Sequence, residues 1–329
     1  MFSTLRHQIT KKEIIALLLV GLFVLSLPGW IDPYIQNVFI MIFIYGALGS
    51  AWNLIGGYGG QTSLGHAAFF GIGAYAPAIL VVKFGLSPWL GLIVGIICSV
   101  ILSLAIGAIC FRLRGHYFAI ATMILLEVTR LVCLRERWLT GGGVGLSIPY
   151  KGNSLYWFQF DGKGTYFYAS LVILLLVLFV NYKVSVSKIG YLLKAIGQNE
   201  DAAEVIGVDS ANVKRNILVL SAALTSVCGA FWVQYMYFID PDMAFSGAFS
   251  IEIALVAIIG GMGTVFGPLF GALLLRPMVE ITSSLLGGSF AGVHLILYSV
   301  ILLLVVIFRP SGIVSYLSDW YKKFKLKKY

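Results

Sequence analysis

The sequence contains few charged residues. They make up 11% of its 329 residues, whereas 59% are hydrophobic, and the mean hydropathy is +0.93. A chain of this size with so little charge is too apolar to be a soluble globular domain. Its long apolar runs lack the alternation of apolar and polar residues that is typical of membrane β-barrel strands. Roughly 20 apolar residues are enough for one α-helix to cross the membrane. The sequence therefore predicts an all-α polytopic membrane protein.

The patterns of common catalytic and metal sites are also missing. The sequence has no HExxH pattern, no recognisable nucleophile context and no GxxxxGK[ST] phosphate loop. The chain therefore has no phosphate loop with which to hydrolyse ATP, and we predict a transport or binding protein without a cofactor or metal. The cysteines lie in or beside apolar runs without metal-like spacing, so we interpret them as packing residues. They are Cys98, Cys110, Cys133 and Cys228.

The net charge of +9 does not indicate a nucleic-acid partner. The basic residues cluster in short loops and tails, as the positive-inside rule expects of cytoplasmic segments. The C-terminal run KKFKLKK (322–328) and the basic N-terminal segment therefore predict that both termini are cytoplasmic.

Counting apolar runs from a cytoplasmic N-terminus gives about ten transmembrane helices. Eight helices with a re-entrant hairpin are the alternative. The predicted division is a cytoplasmic segment 1–13, six spans in 14–182 with an external loop at 135–165, a cytoplasmic insert 183–215, the remaining spans in 216–308, and a basic cytoplasmic tail 309–329.

A cytoplasmic tail requires an even number of crossings after the insert, so the apolar run 251–275 must be broken. Glycine and proline supply the break, because freed backbone groups at membrane depth are tolerated where they face protein or water. The predicted break residues are Gly260, Gly261, Gly263 and Pro268. The same region contains IGGMG (259–263), which echoes IGGYG (55–59). Either a parallel internal repeat or chance in a glycine-rich chain explains the echo.

The insert reads as two short helices that meet at a bend. Apolar residues recur with helical spacing over 187–196, and Gly197 interrupts them. Asn199 is a suitable N-cap for the second helix, and Gly207 a suitable left-handed C-cap. An apolar face with a charged rim suits docking into a groove of a partner. The alternative is a loop that folds its apolar face against its own bundle.

Polar residues in or just before the glycine-rich third predicted span, residues 56–82, are candidates for a translocation path. We select Asn53, Gln61, Ser63 and His66, although His66 is equally well explained as a satisfied packing histidine.

Glu127 and Arg130 in the fifth predicted span are spaced i, i+3, so they can neutralise one another on one helix face. They line the path in one reading and form a packing ion pair in the other. For Glu252 we favour a place at the headgroups over an outer vestibule.

Five segments together resemble the permease subunits of ABC importers for branched-chain amino acids, most closely the longer of the two permeases in such a system. The resemblance runs from Asn53 to about Phe308. The segments are NLIGGYGGQTSLGHAAFFGIGAY (53–75), RGHYFAIATMILLEVTRLV (114–132), TGGGVGL (140–146), SKIGYLLKAIGQNEDAAEVIGVD (187–209) and IIGGMGTVFGPLFGA (258–272).

The resemblance implies a bacterial-type cytoplasmic (inner) membrane and a heterodimer with a sister permease. It also implies two cytoplasmic ATPase subunits and an extracytoplasmic substrate-binding protein. In this family the insert is the segment that docks on the ATPase. The coupling residues carried over to this chain are Gly190, Ala195, Asn199, Glu200, Ala202, Ala203 and Gly207.

Two other functions remain open at the level of sequence. Permeases for urea or short-chain amides share nearly all of these motifs. A channel or secondary transporter would need no ATPase, but it would also have no use for a docking helix pair of this polarity.

Overall fold

The computed structural model describes residues 24–111 and 116–286, together with Gly21, Ile296, Val300, Leu303 and residues 312–314. The predicted segment 1–13 lies outside the described residues. So do most of the first and last predicted spans and most of the C-terminal tail.

The described residues form a helical bundle. In chain order its α-helices are α1 (Pro33–Asn53), α2 (His66–Lys83), α3 (Pro88–Cys110), α4 (His116–Arg135), α5 (Arg137–Thr140), α6 (Lys163–Ser185), α7 (Lys188–Gln198), α8 (Glu200–Val205), α9 (Ser210–Met236), α10 (Pro241–Ala244), α11 (Gly247–Gly260) and α12 (Gly267–Leu286). A π turn, Leu54–Tyr58, extends α1, and 3₁₀ turns occupy Leu27–Gly29 and Gly142–Val144. Two short strands, β1 (Leu146–Ser147) and β2 (Phe238–Ile239), pair antiparallel.

Seven segments of the described chain are helical, long and apolar enough to cross a membrane. They are Pro33–Tyr58, His66–Lys83, Pro88–Cys110, Tyr117–Arg135, Lys163–Ser185, Ser210–Met236 and Pro241–Gly260. The helical multi-pass class is confirmed. The count of ten and the side of the termini stay predictions.

The central helices are α1 and α9. Helix α9 packs on α2 and α3, and α1 packs on α6 and α12. By contrast, α3, α4 and α6 present large apolar side chains on the outside of the bundle, among them Ile101, Ile124 and Phe179. Apolar outer faces on helices of this length suit contact with lipid.

The bundle has two ends that carry different segments. Residues 186–209, including α7 and α8, lie at one end, which we call the insert end. Residues 136–162, with β1 and the turn to α6, lie at the other, which we call the loop end. Helix α1 reaches the insert end with its π turn, where a Cβ on Gly60 would lie 3.1 Å from the Cα of Gly197.

The third predicted span starts later than the sequence indicates. We expected a helix from about Gly56, but α2 begins at His66, and residues 60–65 are non-helical. Gly60 has a φ of +64°, a left-handed conformation that glycine adopts without steric cost. The indole nitrogen of Trp52 donates to the carbonyl oxygen of Ser63 at 2.7 Å, which fixes this connection against α1.

Candidate functional site

The insert forms two helices with side-chain caps. The Ser187 hydroxyl accepts from the amide of Gly190 at 3.2 Å and starts α7. The N-cap predicted at Asn199 is confirmed, because its side-chain oxygen accepts from the amide of Ala202 at 3.0 Å. Each cap satisfies an amide that would otherwise lack a partner at a helix start. The bend between α7 and α8 therefore has a defined geometry.

One face of the insert packs on the bundle. Leu193 and Ile196 of α7 are buried, and so are Gly190 and Ala203 among the predicted coupling residues. Backbone comes so close at Gly190 that a Cβ there would lie 2.1 Å from the carbonyl oxygen of Val184. These four buried residues form the face of the insert that packs on the bundle.

Glu200 is tied to the bundle by an ion pair. Its Oε1 lies 2.5 Å from Nζ of Lys214, a residue on the first turns of α9 whose side chain is 1% exposed. A buried ammonium is costly unless it is paired, so this contact fixes the start of α8 against α9. Lys214 was absent from our predicted site, because nothing in the sequence pairs it with Glu200.

The outer face of the insert is open. Four predicted coupling residues lie on it, namely Ala195, Asn199, Ala202 and Gly207. The most exposed apolar side chains of the insert are Val205 and Ile206 at the end of α8, at 87% and 77% exposure. The predicted coupling residues do not include these two. Two adjacent aliphatic side chains this exposed suit insertion into a partner's groove.

The insert rests on the π turn of α1. Leu193 comes within 3.4 Å of where a Cβ of Gly59 would lie, and Lys194 lies 5.8 Å from the ring centre of Tyr58. The two backbones meet at Gly60 and Gly197. Contacts this close need glycine, so the backbone of α7 lies directly against the end of α1.

Asn53 fastens the same turn to the loop between α11 and α12. Its side-chain oxygen accepts from the amide of Gly263 at 2.8 Å, and its side-chain nitrogen donates to the carbonyl oxygen of Thr264 at 2.9 Å. A Cβ on Gly57 would lie only 2.5 Å from the amide nitrogen of Gly263. The sequences IGGYG and IGGMG therefore touch. Of the predicted break residues, Gly260 ends α11, Gly261 and Gly263 have positive φ, and Pro268 is the second residue of α12.

His66 of α2 binds α9 directly and α1 through a serine of α9, and its other ring nitrogen binds the connection before α2. Nε2 lies 2.8 Å from the hydroxyl of Ser221 on α9, and Nδ1 lies 3.0 Å from the hydroxyl of Ser63. Ser221 in turn donates to the carbonyl oxygen of Ala51 on α1 at 2.6 Å. These directions assign the proton to Nε2, with Nδ1 accepting from Ser63. The neutral, fully buried ring is satisfied as a structural bridge.

Gln61 is buried between α1 and α2. Its backbone N–H donates to the carbonyl oxygen of Ile55. Its side-chain oxygen has no hydrogen-bond partner among the described residues. The structure thus groups the path candidates Asn53, Gln61, Ser63 and His66 near the insert end.

Glu127 and Arg130 lie elsewhere, on the outer face of α4. Their i, i+3 ion pair has an N–O distance of 2.6 Å, and Arg130 also reaches Asp242 at 2.5 Å. Glu127 is 51% exposed, so these residues do not join the buried polar group around His66.

A buried ionic group that the sequence did not reveal links α11 and α12. Arg276, 6% exposed, contacts Glu252 at 3.0 Å and Glu280 at 3.3 Å. Our expectation for Glu252 at the headgroups missed this partner. An arginine followed four residues later by a glutamate inside an apolar run was the available signal.

The loop end has a polar cavity of about 290 Å³. Its walls include Asn37, Asp161, Lys163, Tyr166 and Tyr235. Beside it, the Tyr150 hydroxyl donates to Asp161, and this hydrogen bond to a carboxylate raises the pKa of Tyr150 to about 12. In the described part of the chain, no three His, Cys, Asp or Glu side chains group as metal ligands would.

Comparison with known proteins gives a consistent picture. Residues 34–308 match the family described as branched-chain amino acid transport system, permease component. The chain is 27% identical over 322 residues to the high-affinity branched-chain amino acid transport system permease protein LivM of Escherichia coli, covering 91% of this chain and 74% of that protein.

Two further relatives represent an archaeon and the second kind of permease. The probable branched-chain amino acid transport permease protein LivM of Methanocaldococcus jannaschii is 24% identical, over 75% of this chain and 77% of its own length. The high-affinity permease protein LivH of Salmonella typhimurium is 22% identical, over 82% of this chain and 91% of its own length. No solved structure matches significantly.

Proposed function

The chain belongs to the family of permease components of branched-chain amino acid transport systems, and on that premise we propose that it is a membrane subunit of an ATP-driven importer. It forms the translocation path for branched-chain amino acids together with a sister permease. The names of the relatives support a pair of permeases, because both LivM and LivH proteins match this chain. The chain itself is a transport component rather than an enzyme.

The observation that carries the proposal is the insert end. It combines an exposed aliphatic pair, Val205 and Ile206, with an inner face that contacts the π turn carrying IGGYG, the half of the IGG echo that in turn touches IGGMG. A passive surface loop needs neither feature. In the proposed assembly, two cytoplasmic ATPase subunits engage the exposed pair, and the insert end faces the cytoplasm.

Coupling then follows from the contacts already described. Closure of the ATPases moves α7 and α8 together with the start of α9, since Asn199 caps the bend between α7 and α8 and Lys214 ties α8 to α9. The movement reaches α1 through Gly60 and Gly197, and α11 and α12 through Asn53. The ligand-dependent step is a shift between outward-open and inward-open populations, driven by different affinity of the ATPases for the two states. An extracytoplasmic binding protein delivers substrate at the loop end.

The experiment is a matched pair of surface variants. Val205→Asp with Ile206→Asp places two charges on the docking face, and we expect loss of both ATPase co-purification and leucine uptake. Val144→Asp is the control for ATPase co-purification, which it should leave unchanged, since Val144 is 84% exposed but lies at the loop end. Equal thermal unfolding of the proteins shows that each is folded. If co-purification and uptake persist in the double variant, the docking surface is wrongly assigned.

Two simpler measurements distinguish the other functions. Uptake that survives ATP depletion while an ion gradient remains would indicate a secondary transporter or channel. Uptake of urea that leucine does not inhibit would indicate the amide permeases.

A further inference from the structure

Arg276 links two helices, α11 and α12, that are joined by one short loop. Its Nη1 contacts Glu252 of α11 at 3.0 Å, and its Nη2 contacts Glu280, one turn further along α12, at 3.3 Å. The side chain is 8% exposed, and those of the two glutamates are 22% and 21% exposed. Each edge of the guanidinium therefore meets a different carboxylate.

The ring of Tyr45 of α1 packs against the guanidinium of Arg276. The guanidinium carbon lies 3.8 Å from the centre of the Tyr45 ring, and the Tyr45 hydroxyl donates to Oε2 of Glu252 at 3.3 Å. The guanidinium stacks on an aromatic ring and donates to two carboxylates, so its orientation is fixed. Beneath Tyr45, the rings of Trp232 and Phe249 lie edge-on to it, with centroids 6.2 Å and 5.9 Å away. Ionic and apolar surfaces are thus adjacent.

Retaining these charges in the bundle is costly. Ionisable groups among apolar helices mark functional sites more often than stabilising ones, because a well-packed apolar substitute would serve stability as well. Neither the insert nor the IGG contact uses this group. The ionic group lies between α1, α11 and α12, which are the helices that move in the proposed coupling mechanism.

We infer that Arg276 and Glu280 bind the charged headgroup of a zwitterionic α-amino acid, an inference that rests on the proposed function. The substrate carboxylate takes the Nη2 edge of Arg276, and the substrate ammonium takes the carboxylate of Glu280. One ion pair is thereby exchanged for two, without a net change in charge at the site. The Nη2 edge is the one that opens, since its contact with Glu280 is longer than the contact of Nη1 with Glu252.

The aliphatic side chain of the substrate then lies toward the rings of Tyr45 and Phe249. This arrangement favours an amino acid with an apolar side chain. A neutral amide cannot make the exchange, because it offers no charge to replace either member of the pair. The site therefore distinguishes the amino-acid class from the urea class.

The site is close to the loop end. The Tyr34 hydroxyl donates to the backbone oxygen of Glu280 at 3.2 Å, so Glu280 lies beside the first turn of α1. The 290 Å³ polar cavity contains Asn37 of the same helix and Tyr235, whose hydroxyl donates to Asn37. Glu280 of α12 therefore lies beside the same end of α1 that lines the cavity.

The test measures binding of radiolabelled leucine to the assembled transporter in lipid nanodiscs, without the extracytoplasmic binding protein. We expect Glu280→Gln and Arg276→Lys each to weaken binding at least about tenfold, as loss of a charged hydrogen bond does. Leucinamide and 4-methylpentanoate, which each lack one charge, should compete poorly with leucine. Glu136→Gln is the matched control, since Glu136 is exposed at the loop end. Tyr45→Phe is a milder second variant that removes only the hydroxyl contact to Glu252.

The outcomes separate the two levels of the proposal. If cells expressing the wild-type transporter take up no branched-chain amino acid, the proposed function fails. If uptake occurs but wild-type protein binds no leucine, or the folded variants bind it as tightly as the wild type, only the headgroup site fails. Equal competition by both singly charged analogues also overturns the site.

Discussion

Glu200 and Lys214 form a contact of 2.5 Å between the start of α8 and the first turns of α9, with the lysine side chain almost fully buried. This ion pair determines what a substitution of Glu200 does to the protein. Glu200 faces its own bundle, so its loss changes the support of the docking surface rather than the surface itself.

Glu200→Ala leaves the buried ammonium of Lys214 without its carboxylate. We expect the unfolding free energy to fall by about 3 kcal/mol, because removing one member of a buried pair leaves the other uncompensated. Lys214→Met should cost less, since a flexible apolar side chain fills the same space. Thermal unfolding of the purified chain checks both. Gln198→Ala, an exposed change in the same insert, is the control, and a fall of equal size there would remove the special role of the pair.

Asn53→Asp tests the link between α1 and the α11–α12 loop. The carboxylate still accepts from the amide of Gly263 but places an oxygen against the carbonyl oxygen of Thr264. We expect ATP hydrolysis by the assembled transporter to continue while uptake falls, because the movement of α1 no longer reaches α11 and α12. Parallel assays of hydrolysis and uptake in proteoliposomes measure this. An unchanged ratio of uptake to hydrolysis would contradict the link.

His66→Leu distinguishes the two interpretations of the buried histidine. Its removal leaves the Ser63 hydroxyl without an acceptor and should lower stability by about 1–3 kcal/mol. Because both ring nitrogens have partners, we expect uptake per folded molecule to remain near that of the wild type. If it lines the path, uptake falls further than the amount of folded protein. Comparing thermal unfolding with uptake normalised to folded protein separates these results.

The topology makes a direct prediction for labelling. A cysteine at the exposed position Gln198 should react with an impermeant thiol reagent only from the cytoplasm. A cysteine at Val144, at the loop end, should react only from outside. Both are introduced after Cys98, which is exposed, has been replaced by serine. Labelling of the Gln198 position from outside would reverse the predicted orientation.

Sequence reasoning was strongest where one local rule acts alone. Asn199 was predicted as an N-cap from its side chain and its place after Gly197, and both determinants lie within a few residues. The helical multi-pass class was predicted correctly because length and hydropathy are local properties. The later start of α2 was missed because the π turn and the Trp52 contact to Ser63 depend on neighbours that the pattern of glycines does not specify.

Ion pairs between residues far apart in the chain could not be predicted from the sequence. Lys214 looked like one of several basic residues beside the insert, and only the fold brings it to Glu200. Arg276 was absent from the predicted site, because its partner Glu252 lies on another helix and was expected at the headgroups. Conversely, Glu127 and Arg130 were predicted to pair, since i, i+3 spacing is sufficient for that, but the spacing could not reveal that they lie on the outer face.

The charges of α12 also bear on how the chain is inserted during synthesis. A helix with Arg276 and Glu280 near its middle is poorly suited to partition into lipid alone, because each charge opposes insertion by about 2.5–3.5 kcal/mol near the centre of a helix. Helix α11 carries the counter-charge Glu252 and is joined to α12 by only the residues from Gly261 to Phe266. The two helices are therefore expected to leave the translocon together, as a hairpin in which Arg276 is paired with both glutamates, and Glu252→Leu, which removes one of these pairings, should reduce the yield of inserted protein more than the same change at Glu136.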